Sequence, residues 1–270
     1  MLDFLLSGDA LMALLTLTFL EIILGIDNIL FISISAGKLP ENQRRKATNL
    51  GLLLALVQRI ILLFFVSYLT KLQTPFWTVE TSWISFELNV QSLILLLGGL
   101  FLLYKSTTEI MEKLETDKTE DLKKQKPKSL KDVILQILVI DLVFSIDSIL
   151  TAVGMTSGLH PNNNYTLVLM IIAVIISIIV MIAFANKIRE VIEKHPSMQI
   201  LGLAFLILIA FLLITEAAHV SHAIVFNNEV GVIPKGYLYF AIAFSLGVEI
   251  INIRMKKSKT KKAELSNKED

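Results

Sequence analysis

Long apolar blocks constrain this chain more than any other feature. The stretch from Tyr165 to Ala185 contains no charged residue, and the block 50–65 has only Gln58 and Arg59 as strongly polar members. A helix of about 20 apolar residues crosses the roughly 30 Å hydrocarbon core of a bilayer. Hydrophobic residues make up 54% of the chain and charged residues 18%, whereas a globular chain has about 25% charged residues. The sequence therefore predicts an all-α polytopic membrane protein.

The same pattern recurs along the chain and predicts seven transmembrane helices. Strands of a membrane β-barrel would be shorter and would alternate in polarity with a period of two, which these blocks do not. The predicted spans are 10–36, 48–69, 89–105, 132–154, 166–186, 198–218 and 237–253. Between the third and fourth spans we expect a charged cytoplasmic linker over 106–131, and after the seventh a basic tail over 254–270.

Lysine and arginine are concentrated in alternate loops. All but three of the 25 Lys and Arg residues fall in the loops near 38–46, 105–131 and 187–194 or in the tail, and the three exceptions are Arg59, Lys71 and Lys235. Loops rich in positive charge stay in the cytoplasm. We therefore expect the N-terminus outside and the C-terminus in the cytoplasm, with the basic tail against anionic lipid. Because no basic residue precedes Lys38, a cleaved signal peptide is not expected.

An internal repeat relates the two halves of the chain. Residues 21–30 read EIILGIDNIL and residues 141–150 read DLVFSIDSIL, so that Asp27 and Asp147 match at an offset of 120. Three predicted spans separate the copies, and an odd number turns the second unit upside down in the membrane. We predict two inverted three-helix repeats, 10–105 and 132–218, and a seventh helix outside them at 237–253. Inverted repeats are typical of transporters with a site near the bilayer midplane.

The repeated motif places acidic side chains inside membrane spans. A carboxylate at the bilayer centre costs about 2.5–3.5 kcal/mol on insertion scales, so a cation or proton site explains the acids better than protonated structural residues do. All the donors are hard oxygens and the chain has no Cys, which favours Mn²⁺, Ca²⁺ or Mg²⁺ over Zn²⁺. A proton relay stays open as an alternative. The candidate metal ligands are Asp27, Asp147, Glu21, Asp141, Asn28 and Ser148.

Helix geometry leaves the arrangement of these ligands open. On a regular helix Glu21 and Asn28 share a face, while Asp27 points about 100° away from Asn28. A local break at Gly25, and at Ser145 in the second copy, would bring the groups together and free carbonyl oxygens. The alternative is a regular helix in which Asp27 faces Asp147.

Two further groups of polar residues stand out. Arg59 lies in the middle of the second span with no counterpart in the second repeat, and a buried arginine needs a charge partner, for which we favour a carboxylate of the site. Glu216, His219 and His222 are spaced at i, i+3 and i+6 near the outer end of the sixth span. A Glu-x-x-His pair is a metal motif in helix bundles, so this group is a possible peripheral site.

The paired motif resembles the signature of the TerC family, named for tellurium resistance and related to the lysine-exporter group. Three more stretches are similar to that family, GGLFLLYKSTTEI at 98–110, LGLAFLILIAFLLITE at 201–216 and IPKGYLYFAIAFSLGVEIIN at 233–252. The resemblance implies a seven-span bacterial inner-membrane protein that moves Mn²⁺ out of the cytoplasm. It also implies that the family's motif acids correspond to Glu21, Asp27, Asp141 and Asp147.

The leading hypothesis is therefore an exporter of divalent cations, Mn²⁺ foremost, that works by alternating access and is not an enzyme. A membrane scaffold in metal or tellurite stress is a second hypothesis. An intramembrane aspartyl protease, which also pairs two aspartates from two spans, is a third. Mn²⁺ is expected as the transported substrate, with no organic cofactor and no nucleic-acid partner. The sequence leaves the oligomeric state open.

Overall fold

The computed structural model of this chain is an all-α membrane protein with a small β-sheet at one end. It describes residues 2–116 and 129–269, with the backbone alone at residues 2, 26, 27, 67, 70, 115, 116 and 256–269. Seven of its helices are long and apolar enough to cross a membrane. The prediction of an all-α polytopic protein with seven spans is confirmed.

The helices alternate in direction through the bundle. In chain order they are α1 (Leu2–Leu5), α2 (Gly8–Gly37), α3 (Glu41–Phe64), α4 (Val66–Leu69), α5 (Val90–Thr116), α6 (Leu130–Thr156), α7 (Asn163–Lys194), α8 (Pro196–Val220) and α9 (Lys235–Glu269). Here α1 and α4 are single turns, and a 3₁₀ turn, Thr70–Gln73, follows α4. In α9 the part that qualifies as a span is Lys235–Met255.

Several helices are longer than the apolar blocks that predicted them. Helix α3 begins at Glu41 rather than at 48, α5 continues to Thr116 and α7 continues to Lys194. Backbone hydrogen bonding does not require apolar side chains, and Lys, Arg and Glu are good helix formers. The linker predicted over 106–131 is therefore helical at both ends, and its part at 117–128 lies outside the described residues. The predicted tail continues α9 as helix to Glu269.

Of the two alternatives left open for the motif helices, the hypothesis of local breaks is wrong, because α2 and α6 are continuous through Gly25 and Ser145. A Cβ atom added at Gly25 would lie 2.1 Å from Sδ of Met181 on α7. The glycine therefore permits close packing of two helices rather than a local unwinding. At the matching position in α6, the Ser145 hydroxyl donates to Oδ2 of Asp141 one turn earlier, which needs a regular helix.

The helix packing has an approximate two-fold pattern. Helix α2 packs extensively on α7, α3 packs on α6, and α5 packs on α8. Suppose that α2, α3 and α5 correspond in that order to α6, α7 and α8. The contact of α2 with α7 then corresponds to the contact of α6 with α3, and the contact of α5 with α8 corresponds to itself. Inverted repeats produce this pattern, although the division into 10–105 and 132–218 stays a prediction. Helix α9 lies at the edge, mainly against α8.

A four-stranded antiparallel sheet covers one end of the bundle. Its strands, in sheet order, are β1 (Pro75–Glu80), β2 (Ile84–Asn89), β3 (Ile224–Val225) and β4 (Asn228–Glu229). The backbone N–H of Glu87 donates to the Ser221 carbonyl at 2.7 Å, and Nδ2 of Asn89 donates to the Val220 carbonyl at 2.9 Å. These bonds fix the sheet to the end of α8. We call this the sheet end of the bundle, and we call the opposite end, where α2 is followed by α3, the basic end.

Candidate functional site

Arg59 lies between two carboxylates that come from different helices. Its Nη2 donates to Oδ1 of Asp141 on α6 at 2.8 Å, and its Nε lies 3.4 Å from Oδ2 of the same residue. Its Nη1 donates to Oε2 of Glu21 on α2. The guanidinium from α3 therefore joins the opening helices of the two predicted repeats through charge-assisted hydrogen bonds, which are stronger than neutral ones.

Two polar side chains complete the shell around Asp141. Nδ2 of Asn28 donates to Oδ1 of Asp141 at 2.9 Å, and the Ser145 hydroxyl donates to Oδ2 at 3.0 Å. The other amide atom of Asn28, the carbonyl oxygen Oδ1, is buried and has no hydrogen-bond partner among the described residues. A buried acceptor without a partner is uncommon in native structures and costs about 1–3 kcal/mol. The oxygen is therefore available to a ligand.

We refer to Glu21, Asn28, Arg59, Asp141 and Ser145 as the central cluster. Each of these residues is at most 5% exposed. The cluster holds two carboxylates and one guanidinium, and a charge buried in this way is tolerated only when it is paired. Its formal charge is −1 when both acids are ionised. A divalent cation in place of the guanidinium would bring the charge of the two carboxylates and the cation to zero.

A second ionic group lies nearer the sheet end. Nζ of Lys235, the first residue of α9, lies 2.6 Å from Oδ2 of Asp147 and 3.7 Å from Oε2 of Glu216. The three side chains are 27%, 13% and 15% exposed, respectively. We refer to Asp147, Glu216 and Lys235 as the sheet-end cluster. Asp147 follows Asp141 by six residues, about 9 Å along the axis of α6, so the two clusters are distinct.

A small cavity separates the two clusters. Its volume is about 20 Å³, close to the space that one water molecule or a bare metal ion needs. Among its lining residues are Arg59 from the central cluster, Asp147 and Lys235 from the sheet-end cluster, and Ser148 and Tyr239 beside them. The rest of the wall is apolar. Polar residues of both clusters therefore line the same cavity inside an otherwise apolar bundle.

The structure distributes the predicted ligands between these places. Glu21, Asn28 and Asp141 meet in the central cluster, whereas Asp147 pairs with Lys235 and Ser148 donates weakly to the Ser145 carbonyl at 3.4 Å. The Asp27 side chain lies outside the described part of the structure. Because the adjacent Asn28 contacts Asp141, this part of α2 is level with Asp141 rather than with Asp147. A single ion shared by Asp27 and Asp147 stays a prediction, and the different levels weigh against it.

The structure does not bring together Glu216, His219 and His222, the residues of the possible peripheral metal site. Glu216 points inward to Lys235, while Nδ1 of His219 lies 4.0 Å from Oε1 of Glu229 at the surface. His222 follows the end of α8 with a positive φ of 48°. The i, i+3, i+6 spacing fails because α8 ends at Val220. Among the side chains that the structure describes, which do not include that of Asp27, no group of three or more His, Asp or Glu is placed to hold a metal.

Sequence reasoning missed Lys235 as a partner of the acidic residues Asp147 and Glu216. A signal was present, because Lys235 and Lys71 are the two basic residues in the loops that are otherwise free of positive charge. Nothing in the sequence, however, joins Lys235 to Asp147, which lies 88 positions earlier.

Comparison with known proteins identifies the family. The sequence model described as "Integral membrane protein TerC family" matches residues 6–264. The chain belongs to the TerC family. This TerC-family chain is 42% identical over 257 residues to a UPF0053 protein of Haemophilus influenzae, covering 95% of this chain and 99% of that protein. No solved structure gives a significant match.

Two relatives from Escherichia coli K12 carry a location in their names. The TerC-family chain is 42% identical over 251 residues to the UPF0053 inner membrane protein YgdQ, covering 93% of this chain and 95% of YgdQ. It is 40% identical over 250 residues to the UPF0053 inner membrane protein YoaE, of which it spans 44%. The family resemblance and its integral membrane character are confirmed. The direction of the termini stays a prediction.

Proposed function

We propose that this TerC-family protein exports divalent cations, Mn²⁺ foremost, from the cytoplasm across the inner membrane. The observation that carries the proposal is the buried central cluster, in which Glu21 and Asp141 share one guanidinium and the Asn28 amide bonds Asp141 with its carbonyl oxygen left unpartnered among the described residues. Ionisable residues inside a membrane bundle are rare and usually mark an ion or substrate pathway.

The proposed cation takes the position that the Arg59 guanidinium holds between the two acids. Carboxylate and amide oxygens are the donors that Mn²⁺, Ca²⁺ and Mg²⁺ prefer. When Arg59 withdraws, Oε2 of Glu21 and both oxygens of Asp141 lose its hydrogen bonds. Asp141 keeps one hydrogen bond to each oxygen, from Asn28 and Ser145, and each oxygen still has a lone pair for a cation. Oδ1 of Asn28 has no hydrogen-bond partner among the described residues. When the cation leaves, Arg59 returns and the acids do not remain unpaired. Arg59 thus keeps the empty site stable in a medium where bare carboxylates are costly.

The donor set also supports a preference among metals. Mg²⁺ gives up its bound water reluctantly, so a small dry site of protein oxygens favours Mn²⁺. Zn²⁺ is best held by imidazole or thiolate, and neither is present in the central cluster. We therefore expect purified protein to bind Mn²⁺ more tightly than Mg²⁺ in calorimetry. Zn²⁺ binding that persists in Asp141→Asn but is lost on substitution of His219 would contradict this site.

The alternation between sides is proposed to come from movement at the interface between the two triplets of helices. Helices α2 and α6 carry the acids, and each packs on a helix of the other triplet. The packing between the triplets is more extensive than the packing within either one. A shift of helices across this interface would expose the central cluster to either side without breaking a helix.

The test measures Mn²⁺ efflux from preloaded cells at matched abundance of each variant in the membrane. Glu21→Gln and Asp141→Asn preserve shape and hydrogen bonding but remove the charge that a divalent cation needs, so each should abolish efflux and manganese tolerance. The matched control is Glu193→Gln, because Glu193 is paired with Arg189 and Arg44 at the basic end, and it should transport normally.

A further arm tests the repeated aspartates. The double variant Asp27→Asn, Asp147→Asn should also lose efflux if the identical acids of the two motifs contribute to the pathway. Normal efflux by the double variant Glu21→Gln, Asp141→Asn would refute the central cation site. A scaffold would tolerate all of these changes. A protease would lose peptide cleavage in the Asp27→Asn, Asp147→Asn variant while metal export stayed intact.

A further inference from the structure

We propose that Lys235 is a tethered cation that competes with the transported metal for Asp147 and Glu216 at the sheet end. The inference rests on the proposed function and deepens it. It assigns Asp147 and Glu216 as a second cation-binding position on the path, which we call the second station, and Lys235 as the residue that controls it. The metal would bind the two carboxylates only after displacing the lysine, and the lysine would return once the metal had left.

The geometry of the ammonium supports competition rather than a fixed structural pair. Nζ contacts Asp147 closely at 2.6 Å but lies 3.7 Å from Oε2 of Glu216. That oxygen is buried and has no hydrogen bond among the described residues. One ammonium therefore serves two carboxylates unequally. A divalent cation placed between them would neutralise both charges.

The chemistry of lysine suits a displaceable charge. Its ammonium is a compact charge on a flexible four-carbon stem, unlike the planar guanidinium of arginine with its fixed pattern of donors. Lys235 bonds through one nitrogen atom, whereas Arg59 bonds through three. The lysine is also 27% exposed, so its ammonium has room to move away from the carboxylates without displacing buried side chains.

The position of Lys235 in the fold lets it withdraw without disturbing the core. It begins α9, which is the least buried of the seven spans and packs mainly on α8. The preceding residues 230–234 form neither helix nor strand. Its neighbour Gly236 has no other heavy atom within 4 Å of the position a Cβ would take. Few contacts are therefore lost when the start of α9 or the lysine side chain shifts.

The cavity connects this lysine to the central cluster. Arg59 and Lys235 both line the space of about 20 Å³, with Asp147 and Ser148 between them. A cation leaving Glu21 and Asp141 next meets Asp147, and there it meets the charge of Lys235. Because the lysine refills the station after each departure, it opposes rebinding of metal from the sheet side. This contribution would favour movement in one direction.

The experiment uses the absence of cysteine from the chain. Lys235→Cys supplies a single thiol in the purified full-length protein, and Mn²⁺ affinity is measured by calorimetry. Removal of the competing charge should tighten Mn²⁺ binding about tenfold, within the usual range of coupling between two bound charges. Treatment with an aminoethyl thiosulfonate, which attaches an ammonium through a disulfide, should restore the weaker affinity. A neutral methyl thiosulfonate should not.

Lys71→Cys is the matched control, since Lys71 is the other lysine of the predicted outer loops and rests over the Tyr68 ring, with Nζ 5.4 Å from the ring centroid. Its affinity for Mn²⁺ should equal that of the wild-type protein before and after either reagent. Unchanged affinity in Lys235→Cys, or equal weakening by the charged and the neutral reagent, would overturn the proposal.

A second measurement uses the wild-type protein and does not depend on the folding of a variant. Mn²⁺ should expose the Lys235 amine, so its acylation by an amine-reactive label should rise severalfold relative to Lys71, as read by peptide mass spectrometry. Unchanged acylation would overturn the proposal. If Asp141→Asn abolishes Mn²⁺ binding while Lys235→Cys leaves affinity unchanged, the central site stands and the role of Lys235 falls. If neither wild type nor Lys235→Cys binds Mn²⁺, both fall.

Discussion

The central cluster and the sheet-end cluster each place one basic side chain between two carboxylates, but they differ in burial and in the kind of cation. Arg59 is 2% exposed and bonds Glu21 and Asp141 through three nitrogen atoms. Lys235 is 27% exposed and makes one close contact, to Asp147. The first arrangement is buried and held by three nitrogen atoms, whereas the second is partly exposed.

The helices that carry the two basic residues also differ in how extensively they are packed. Arg59 comes from α3, which packs on both α6 and α7, whereas Lys235 comes from α9 at the edge of the bundle. The comparison teaches that similar charges serve different purposes according to the freedom of the backbone that carries them. We propose that in the centre the basic residue stabilises the fold as well as the empty site, and that at the sheet end it controls access.

The largest expected effect is on stability. Arg59→Leu leaves two buried carboxylates without a charge partner and should lower the free energy of unfolding by about 3–5 kcal/mol. The adjacent Gln58→Leu removes one hydrogen bond, from Nε2 to the Leu138 carbonyl at 3.2 Å, and should cost about 1 kcal/mol. Lys235→Leu should resemble the Gln58 variant, since the sheet-end cluster is less buried than the central cluster. Unfolding in detergent measures all three, and equal losses for Arg59→Leu and Lys235→Leu would break the comparison.

The next effect concerns transport. Asp141→Asn should reduce Mn²⁺ efflux at least about 100-fold, equivalent to roughly 2.7 kcal/mol, because Asp141 supplies both of its oxygens to the central site. Asp147→Asn should reduce efflux only about tenfold, since Glu216 still provides a charge at the second station. Efflux from preloaded cells, corrected for protein abundance, measures both variants. A greater loss for Asp147→Asn would move the principal cation site to the sheet end.

Exchanging the two basic residues gives a smaller effect. Arg59→Lys keeps the charge but cannot reach both carboxylates in the same pattern, and it should cost about 2 kcal/mol, the value of a hydrogen bond to a charged group. Lys235→Arg should change stability by less than about 1 kcal/mol, as for other partly exposed ion pairs. Thermal unfolding of the two purified variants compares them. Equal tolerance of both exchanges would show that the planar guanidinium is not required in the centre.

The last prediction concerns orientation in the membrane rather than stability, and it tests which side of the membrane each end of the bundle faces. Ser82→Cys, in the turn between β1 and β2, should react with a membrane-impermeant thiol reagent in intact cells, because the sheet end is predicted to lie outside. Asn42→Cys, at the start of α3 on the basic end, should react only after the membrane is opened. Both residues are exposed, so access to the reagent is the sole variable. Labelling of Asn42→Cys in intact cells would reverse the proposed direction of release.

Much of the architecture follows from the sequence because membrane insertion has few solutions. An apolar block such as Tyr165–Ala185 has to form a helix that satisfies its own backbone hydrogen bonds in lipid. The charge bias among the loops then predicts an orientation. The ends of helices were less predictable, since α3 and α5 continue through charged residues once these leave the apolar layer. The sheet was missed because two of its strands have only two residues each, and because the bonds that fix β2 to the end of α8 join distant parts of the chain.

The sequence by itself determined which ionisable residues had to be explained. Carboxylates at Glu21 and Asp141 and an arginine at position 59 are too costly inside apolar helices to stand alone. Only the tertiary structure decided how they pair, because helix packing brings Arg59 to Asp141 across 82 positions. It also brought Lys235 to Asp147 and turned Glu216 away from the histidines. The local sequence shows that a charged residue lies in an apolar helix and is therefore costly to bury. The identity of its charge partner depends on contacts between helices that are distant in the sequence.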